Sequence, residues 1–201
     1  DMEAYADAVP MPRAQPGRWV VGTVKTMADK YGIDTLIQAF ALLLASLQAS
    51  DPDMARQLYL RLVGDGPQMS ALKQLATQLG VAARTQFVGH VDHAQVPHEL
   101  AQLDVYVALS RLDSESFGVA IIEAGAAARP VVVSDAGGLP EVVLDGVTGL
   151  VVPRENPQAA ADAIECLLCD ADLRQRMGAA ARRHAAQHYS WDACVETMLK
   201  V

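Results

Sequence analysis

From residue 19 onward, short apolar runs alternate with longer runs of helical periodicity, and nothing else in the chain constrains its fold as strongly. Strand-like runs at 19–24, 57–63, 85–88, 105–109 and 131–134 are each followed by a helix-like run, at 33–47, 68–79, 96–103, 117–128 and a short turn at 139–143. The first helix-like run is the clearest: Leu36, Ile37, Phe40, Leu43, Leu44 and Leu47 recur at spacings of one, three and four, which lines one helical face. Alternation of this kind predicts an α/β fold with a doubly wound, Rossmann-like parallel sheet. A last strand at 150–152 leads into extra C-terminal helices at 157–168, 172–187 and 191–200. Residues 1–18 hold Pro10, Pro12, Pro16 and Gly17 without sustained periodicity and read as a linker or arm, leaving 19–201 as one domain. A chain of 201 residues, 51% hydrophobic and 20% charged, suits one well-filled core.

In such a sheet ligands bind beyond the carboxyl ends of the strands, so the loops that follow strands matter most. Those loops carry Lys25 and Lys30, Gly64-Asp65-Gly66-Pro67, residues 89–93, residues 110–118, and residues 134–141. Asp51-Pro52-Asp53 precedes a strand, at the opposite edge, and reads as a turn rather than a metal motif. Only four lysines exist, and Lys25 and Lys30 both follow the first strand closely, which points to a local anion site. The formal net charge of −8 argues against a nucleic-acid or anionic-membrane surface, so any phosphate must be held locally.

The segment Glu115-Ser116-Phe117-Gly118-Val119-Ala120-Ile121-Ile122-Glu123 is the most informative about chemistry. Gly118 lacks a Cβ, so the backbone can lie close to a ligand where the unpaired N–H groups of a helix start favour an anion or a hydroxyl oxygen. Glu115 is expected on the turn before that helix and Glu123 about two turns into it. A ligand with two hydroxylated rings joined by phosphates would use both carboxylates, with its phosphates facing the amides between them. Glu123 sits in a run too apolar to offer much solvated face, and a carboxylate there needs partners. Glu141, after Gly137-Gly138-Leu139-Pro140, is read either as part of a backbone site near phosphate or sugar or as the start of a capped short helix. His90, His93 and His98 read as a solvated loop, and Cys166 and Cys169, three apart in a helical pattern, as core residues. No metal site is expected. Three cysteines without a framework fit a reducing cytoplasm, and the longest uncharged apolar stretch, around 40–45, is short of the ~18 residues of a membrane span. A chain opening with Asp1 reads as a fragment or processed form.

With these residues in order, the chain resembles the retaining GT-B glycosyltransferases of family 4, also called group 1, over about residues 19–191. The segment from Glu115 to Glu123 is similar to the family's Glu-x7-Glu element, and it is followed by Pro130-Val131-Val132 and Gly137-Gly138-Leu139-Pro140-Glu141. Gly64-Asp65-Gly66-Pro67, Phe87-Val88-Gly89 and Asp145-Gly146-x-x-Gly149-Leu150-Val151-Val152 support it. The resemblance implies the C-terminal, donor-binding half of a two-domain enzyme, whose N-terminal acceptor half is absent from this sequence. It implies that Glu123 bonds the donor ribose and that Glu115 lies against the transferred sugar. The amides of Phe117, Gly118 and Val119 would face sugar or phosphate, Lys30 would hold the pyrophosphate, and the backbone near Val91 would meet the base. The substrate would be a UDP, GDP or ADP sugar, with no cofactor, and any membrane contact would come through the missing half of a cytoplasmic enzyme.

Gly22-Thr23-Val24-Lys25 stands where the family usually has an arginine, so Lys25 is expected to substitute without bidentate geometry. Four residues separate Ser110 from Glu115 where two are commoner, which is expected to shift the sugar-side loop. Ala128 replaces a common glycine, with little expected effect. A non-catalytic nucleotide-sugar-binding module and a sugar-nucleotide epimerase of the same architecture are the alternative readings.

Overall fold

The computed structural model of the chain describes residues 17–113 and 118–189. Six strands, β1 (Trp19–Val24), β2 (Leu58–Val63), β3 (Thr85–Gly89), β4 (Val105–Ala108), β5 (Val131–Ser134) and β6 (Gly149–Val152), form one sheet in the order β3-β2-β1-β4-β5-β6. Every pairing is parallel, with Val21 opposite Val105 and Gly22 opposite Tyr106 at the junction of β1 and β4. The chain winds outward from β1 to β3, then returns to β4 and winds the other way. The switch point therefore lies between β1 and β4.

The helices are α1 (Ile33–Ser50), α2 (Pro52–Gln57), α3 (Met69–Gln78), α4 (Val96–Ala101), α5 (Val119–Ala126), α6 (Leu139–Val142), α7 (Pro157–Cys169) and α8 (Ala171–Tyr189). Successive strand residues serve opposite layers because side chains alternate across a sheet. Trp19, Val21, Val105, Val107 and Val132 pack with α1, α3 and α7, whereas Val20, Tyr106, Ala108, Val131 and Val133 pack with α4, α5, α6 and α8. By length and composition α1 could cross a membrane, but half of it is buried here, and Leu36, Ile37, Phe40, Leu43 and Leu47 are core residues. Several charged groups inside are paired locally. The Val20 amide donates to Asp104 Oδ2 at 2.8 Å, and the buried Arg61 Nε donates to Glu99 Oε2 at 2.8 Å. Arg174 Nη1 donates to the carbonyls of Leu167 and Leu168 at 2.9 and 3.0 Å and its guanidinium stacks 4.6 Å from the Trp19 ring, so it closes the end of α7 against β1.

The predicted sheet and layers are present, with three departures. Asp51-Pro52-Asp53 is more than a turn: Asp51 Oδ1 accepts from the Met54 amide at 3.0 Å and caps the short helix α2, so β2 begins one residue later than expected. Cys166 and Cys169 are exposed rather than core residues. They do share a face, but α7 turns Ala160, Ala161, Ile164, Leu167 and Leu168 inward and the cysteines outward. The helix after β4 begins at Val119 and ends at Ala126, shorter than expected at both ends. The expected helix at 191–200 and all but the last two residues of the expected arm at 1–18 lie outside the described residues.

Ala128 matters more than its small side chain suggests. Its amide donates to Gly125 O at 2.8 Å and the Arg129 amide to Ala124 O at 2.9 Å, closing α5 with a paired motif that needs a left-handed residue; Ala128 supplies it at φ 55°. A non-glycine residue there costs about 1–2 kcal/mol. Ala128→Gly is therefore expected to stabilise the fold by about 0.5–1 kcal/mol, after the loss of chain entropy on ordering glycine, as read by urea unfolding.

Candidate functional site

Two strand ends meet at the switch point, and each contributes a loop. The loop after β1 is stapled to the loop after β2: the Lys25 amide donates to Val63 O at 2.9 Å, the Met27 amide to Asp65 O at 3.0 Å, and the Gln68 amide to Met27 O at 3.0 Å. Gly64 makes this contact possible, since a Cβ there would overlap the carbonyl oxygen of Lys25. Its demonstrable task is loop packing. The loop then tightens into a 3-10 turn, Asp29–Tyr31. Lys25 Nζ lies 4.5 Å and Lys30 Nζ 4.8 Å from the centroid of the Tyr31 ring, so two of the four lysines converge on one aromatic face or edge beside the switch point. Thr23, within the Gly22-Thr23-Val24-Lys25 run that stands where the resemblance implies an arginine, is buried in β1.

The loop after β4 ends at Gly118, whose φ of 51° suits the absence of a side chain and opens α5. The Ile121 and Ile122 amides donate back to Gly118 O at 2.7 and 3.2 Å, while the helix start carries N–H groups with no intrahelical acceptor, as every helix start does. Val119 is 58% exposed at this point. Glu123 is the fifth residue of α5, little more than one turn in rather than two, because the helix starts later than the sequence suggested. Its side chain is 17% exposed, and His93 Nε2, on the loop after β3, lies 3.9 Å from Glu123 Oε1. That loop also carries Val91, half-buried against the layer of α4 and α5. His90, His93 and His98 are all exposed. Glu115 and Phe117 lie outside the described residues. Gly138 precedes α6, where the Glu141 amide donates to Gly138 O at 3.2 Å and the Glu141 side chain is exposed. Among the described residues no cluster of three or more histidine, cysteine or carboxylate side chains is arranged to hold a metal ion.

A set of charges that sequence reasoning missed binds these loops together. Arg111, on the loop after β4, sends Nη1 to Asp29 O at 3.0 Å and to Asp29 Oδ1 at 2.9 Å, and Nη2 to Asp34 and to Thr35 Oγ1 at 3.3 Å. Its Nε lies 3.4 Å from Glu155 Oε1. Burial pulls the Arg111 pKa down, but the hydrogen bond and charge of Asp34, with Asp29 and Glu155, outweigh it and hold the guanidinium charged. Arg154 Nη1 lies 2.9 Å from Asp113 Oδ1, and the Gly137 amide donates to the same oxygen at 3.0 Å. Those two donors, Gly137 first, hold the Asp113 carboxyl below its usual range. Arg154 also donates from Nη2 to Asp135 O at 2.7 Å, and the Ser134 hydroxyl donates to Ser110 O at 2.6 Å. The loops after β1, β4, β5 and β6 are thus one cross-linked rim.

Comparison with known proteins identifies the family and the fold. The sequence profile of the family described as glycosyl transferases group 1 matches residues 10–184. A GDP-mannose-dependent alpha-(1-6)-phosphatidylinositol monomannoside mannosyltransferase of Mycolicibacterium smegmatis is 35% identical over 179 residues, covering 87% of this chain and 45% of that protein. The chain spans about half the length of the curated relatives it matches. Among solved structures, Anabaena Alr3699/HepE in complex with UDP-glucose aligns with a TM-score of 0.80 and 27% identity over 100% of this chain and 56% of that one. The C-terminal domain of a group 1 family protein, LpcC, from Francisella tularensis shares the fold, with a TM-score of 0.80 at 22% identity over 95% of this chain and 98% of that one. The parallel sheet, the site at its switch point and these relatives lead to one conclusion: the chain belongs to the glycosyl transferases group 1 family, with the fold of a GT-B domain.

Proposed function

We propose that this chain is the donor-binding half of a retaining, nucleotide-sugar-dependent glycosyltransferase that delivers a sugar to a glycan or lipid-linked acceptor held by the other half of the enzyme. The observation that supports the reading is that the two loops leaving the β1/β4 switch point carry, on one side, Lys25 and Lys30 against Tyr31 and, on the other, the glycine-led start of α5 with the sheltered carboxylate of Glu123. A nucleoside diphosphate sugar supplies both an anion for the lysines and hydroxyls for the carboxylate. The lysines and the first amides of α5 take the diphosphate, and Glu123 takes the ribose hydroxyls. Glu115 and Phe117 take the transferred sugar, Val91 neighbours the base, and Gly64, Gly138 and Glu141 complete the loops around the phosphates and sugar. Relatives bear on the donor class: one is named for GDP-mannose and a phosphatidylinositol mannoside, and a structural neighbour was solved with UDP-glucose.

The chemistry follows from charge. As the glycosidic bond breaks, negative charge grows on the departing diphosphate, and fixed ammonium and amide dipoles stabilise it without reorganising. Lys25 and Lys30 fill that role without a bidentate fork, so their contribution is that of point charges.

Binding of UDP or GDP is therefore expected to persist in the presence of a chelator, because the two ammonium groups already supply the positive potential. Isothermal titration with and without the chelator measures this, and an absolute requirement for a divalent ion would overturn it. The two glutamates are expected to fail differently. Glu123→Gln weakens binding of the free nucleotide and of the intact donor alike, by roughly 1–3 kcal/mol for a lost charge-assisted bond. Glu115→Gln spares the free nucleotide and acts only when the sugar is attached. Titration of both ligands against both variants decides the assignment, and equal losses of free nucleotide in the two would show the roles to be wrong.

A further inference from the structure

Arg111 has a side chain that is only 16% exposed, with its guanidinium among Asp29, Asp34 and Glu155. Both of its terminal nitrogens are engaged by protein oxygens, and its charge is more than matched. A cation in that position is poorly placed to serve as a phosphate ligand. Its contacts instead concentrate on one short segment. The Arg111 backbone amide donates to the carbonyl of Lys30 at 2.9 Å, and the Arg111 side chain holds both the carbonyl and the carboxylate of Asp29, the residue before Lys30. One residue thus grips the 3-10 turn from the main chain and the side chain at once. The turn's own bonds are few: the Tyr31 amide to Ala28 O at 3.0 Å and the Gly32 amide to Asp29 O at 3.1 Å. A turn of three residues has little intrinsic persistence, so its geometry depends on outside contacts.

We infer that Arg111 is a positioning residue that aims Lys30 at the donor diphosphate; this rests on the donor-site reading given above. It acts in two ways. It fixes the backbone from which Lys30 projects, and it engages the Asp29 carboxylate so that this anion stays off the neighbouring ammonium. The Asp29 side chain is 79% exposed, and Gln68 Nε2, at 3.3 Å, is its other described hydrogen-bond donor. Once released from Arg111, Asp29 is free to pair with Lys30 and cancel the charge intended for phosphate. Arg154 completes the device by donating from Nη1 to the Arg111 carbonyl at 3.3 Å and pairing with Asp113, so the gripping loop is itself anchored to the loops after β5 and β6.

The test is a double-mutant cycle on nucleotide binding by the chain, with UDP and GDP as probes. Arg111→Gln is expected to weaken binding about five- to twentyfold in the otherwise unchanged chain, and less than about twofold when Lys30 is already alanine. Adding Asp29→Asn to Arg111→Gln is expected to recover part of the loss. Arg111→Lys, which keeps the charge but not the fork, is expected to fall between the two. Amide exchange at Tyr31 and Gly32 supplies a readout independent of nucleotide: it accelerates in both Arg111 variants while exchange in β1 and β4 stays slow, which also shows that the variants are folded. An equal loss with and without Lys30 would overturn the inference, as would unchanged exchange at the turn. Failure of the unmodified chain to bind any nucleoside diphosphate would instead remove the donor-site reading, and the coupling with it.

Discussion

Because all six strands are parallel and the four inner ones are buried on both faces, the sheet offers a ligand its ends. At the carboxyl end the strand order reverses between β1 and β4, and the two connecting loops must diverge to opposite layers. The crevice they leave is a consequence of topology before any side chain is considered. Everything functional then depends on what the two loops carry and how firmly they are held. Here the first carries Lys25 and Lys30, and the second opens onto α5 with Gly118 and Glu123.

The fold was legible because burial imposes periodicity. Trp19 to Val24 and Leu36 to Leu47 reveal their structure by which positions are apolar, and the structure assigns those positions to two layers as expected. Legibility fails where two local signals share the same residues. Asp51 followed by proline marks a turn and equally an N-cap with proline in the first helical turn, and six residues are too few for a periodic pattern to choose. It fails also where a pattern gives relative but not absolute orientation. A spacing of three puts Cys166 and Cys169 on one face of α7, but only the apolar residues at 160, 161, 164, 167 and 168 say which face points inward.

The site divides in the same way. The lysines, glycine and carboxylate proposed for it stand out in the sequence because they lie after strands and are of types suited to phosphate or hydroxyl groups. The rim was not recognisable. Arg111 finds Asp29 at a separation of 82 positions and Arg154 finds Asp135 at 19, and no periodicity relates such pairs. The one available signal was two arginines in strand-end loops of a chain poor in basic residues. The longer loop between Ser110 and Glu115, expected to shift on the sugar side, contains Arg111 and Asp113, whose contacts tie it to the loops after β1 and β5.

The enclosure of Arg111 by three carboxylates has a consequence for how an anionic molecule arrives. A guanidinium matched so closely projects almost no positive potential into solvent, and the chain as a whole carries a formal net charge of −8. Beyond about 8 Å at physiological ionic strength, an approaching diphosphate meets a screened and weakly repulsive surface. Only within contact range do the ammonium groups beside Tyr31 dominate. Such a chain holds this positive charge locally, at the strand ends, rather than spread over a face.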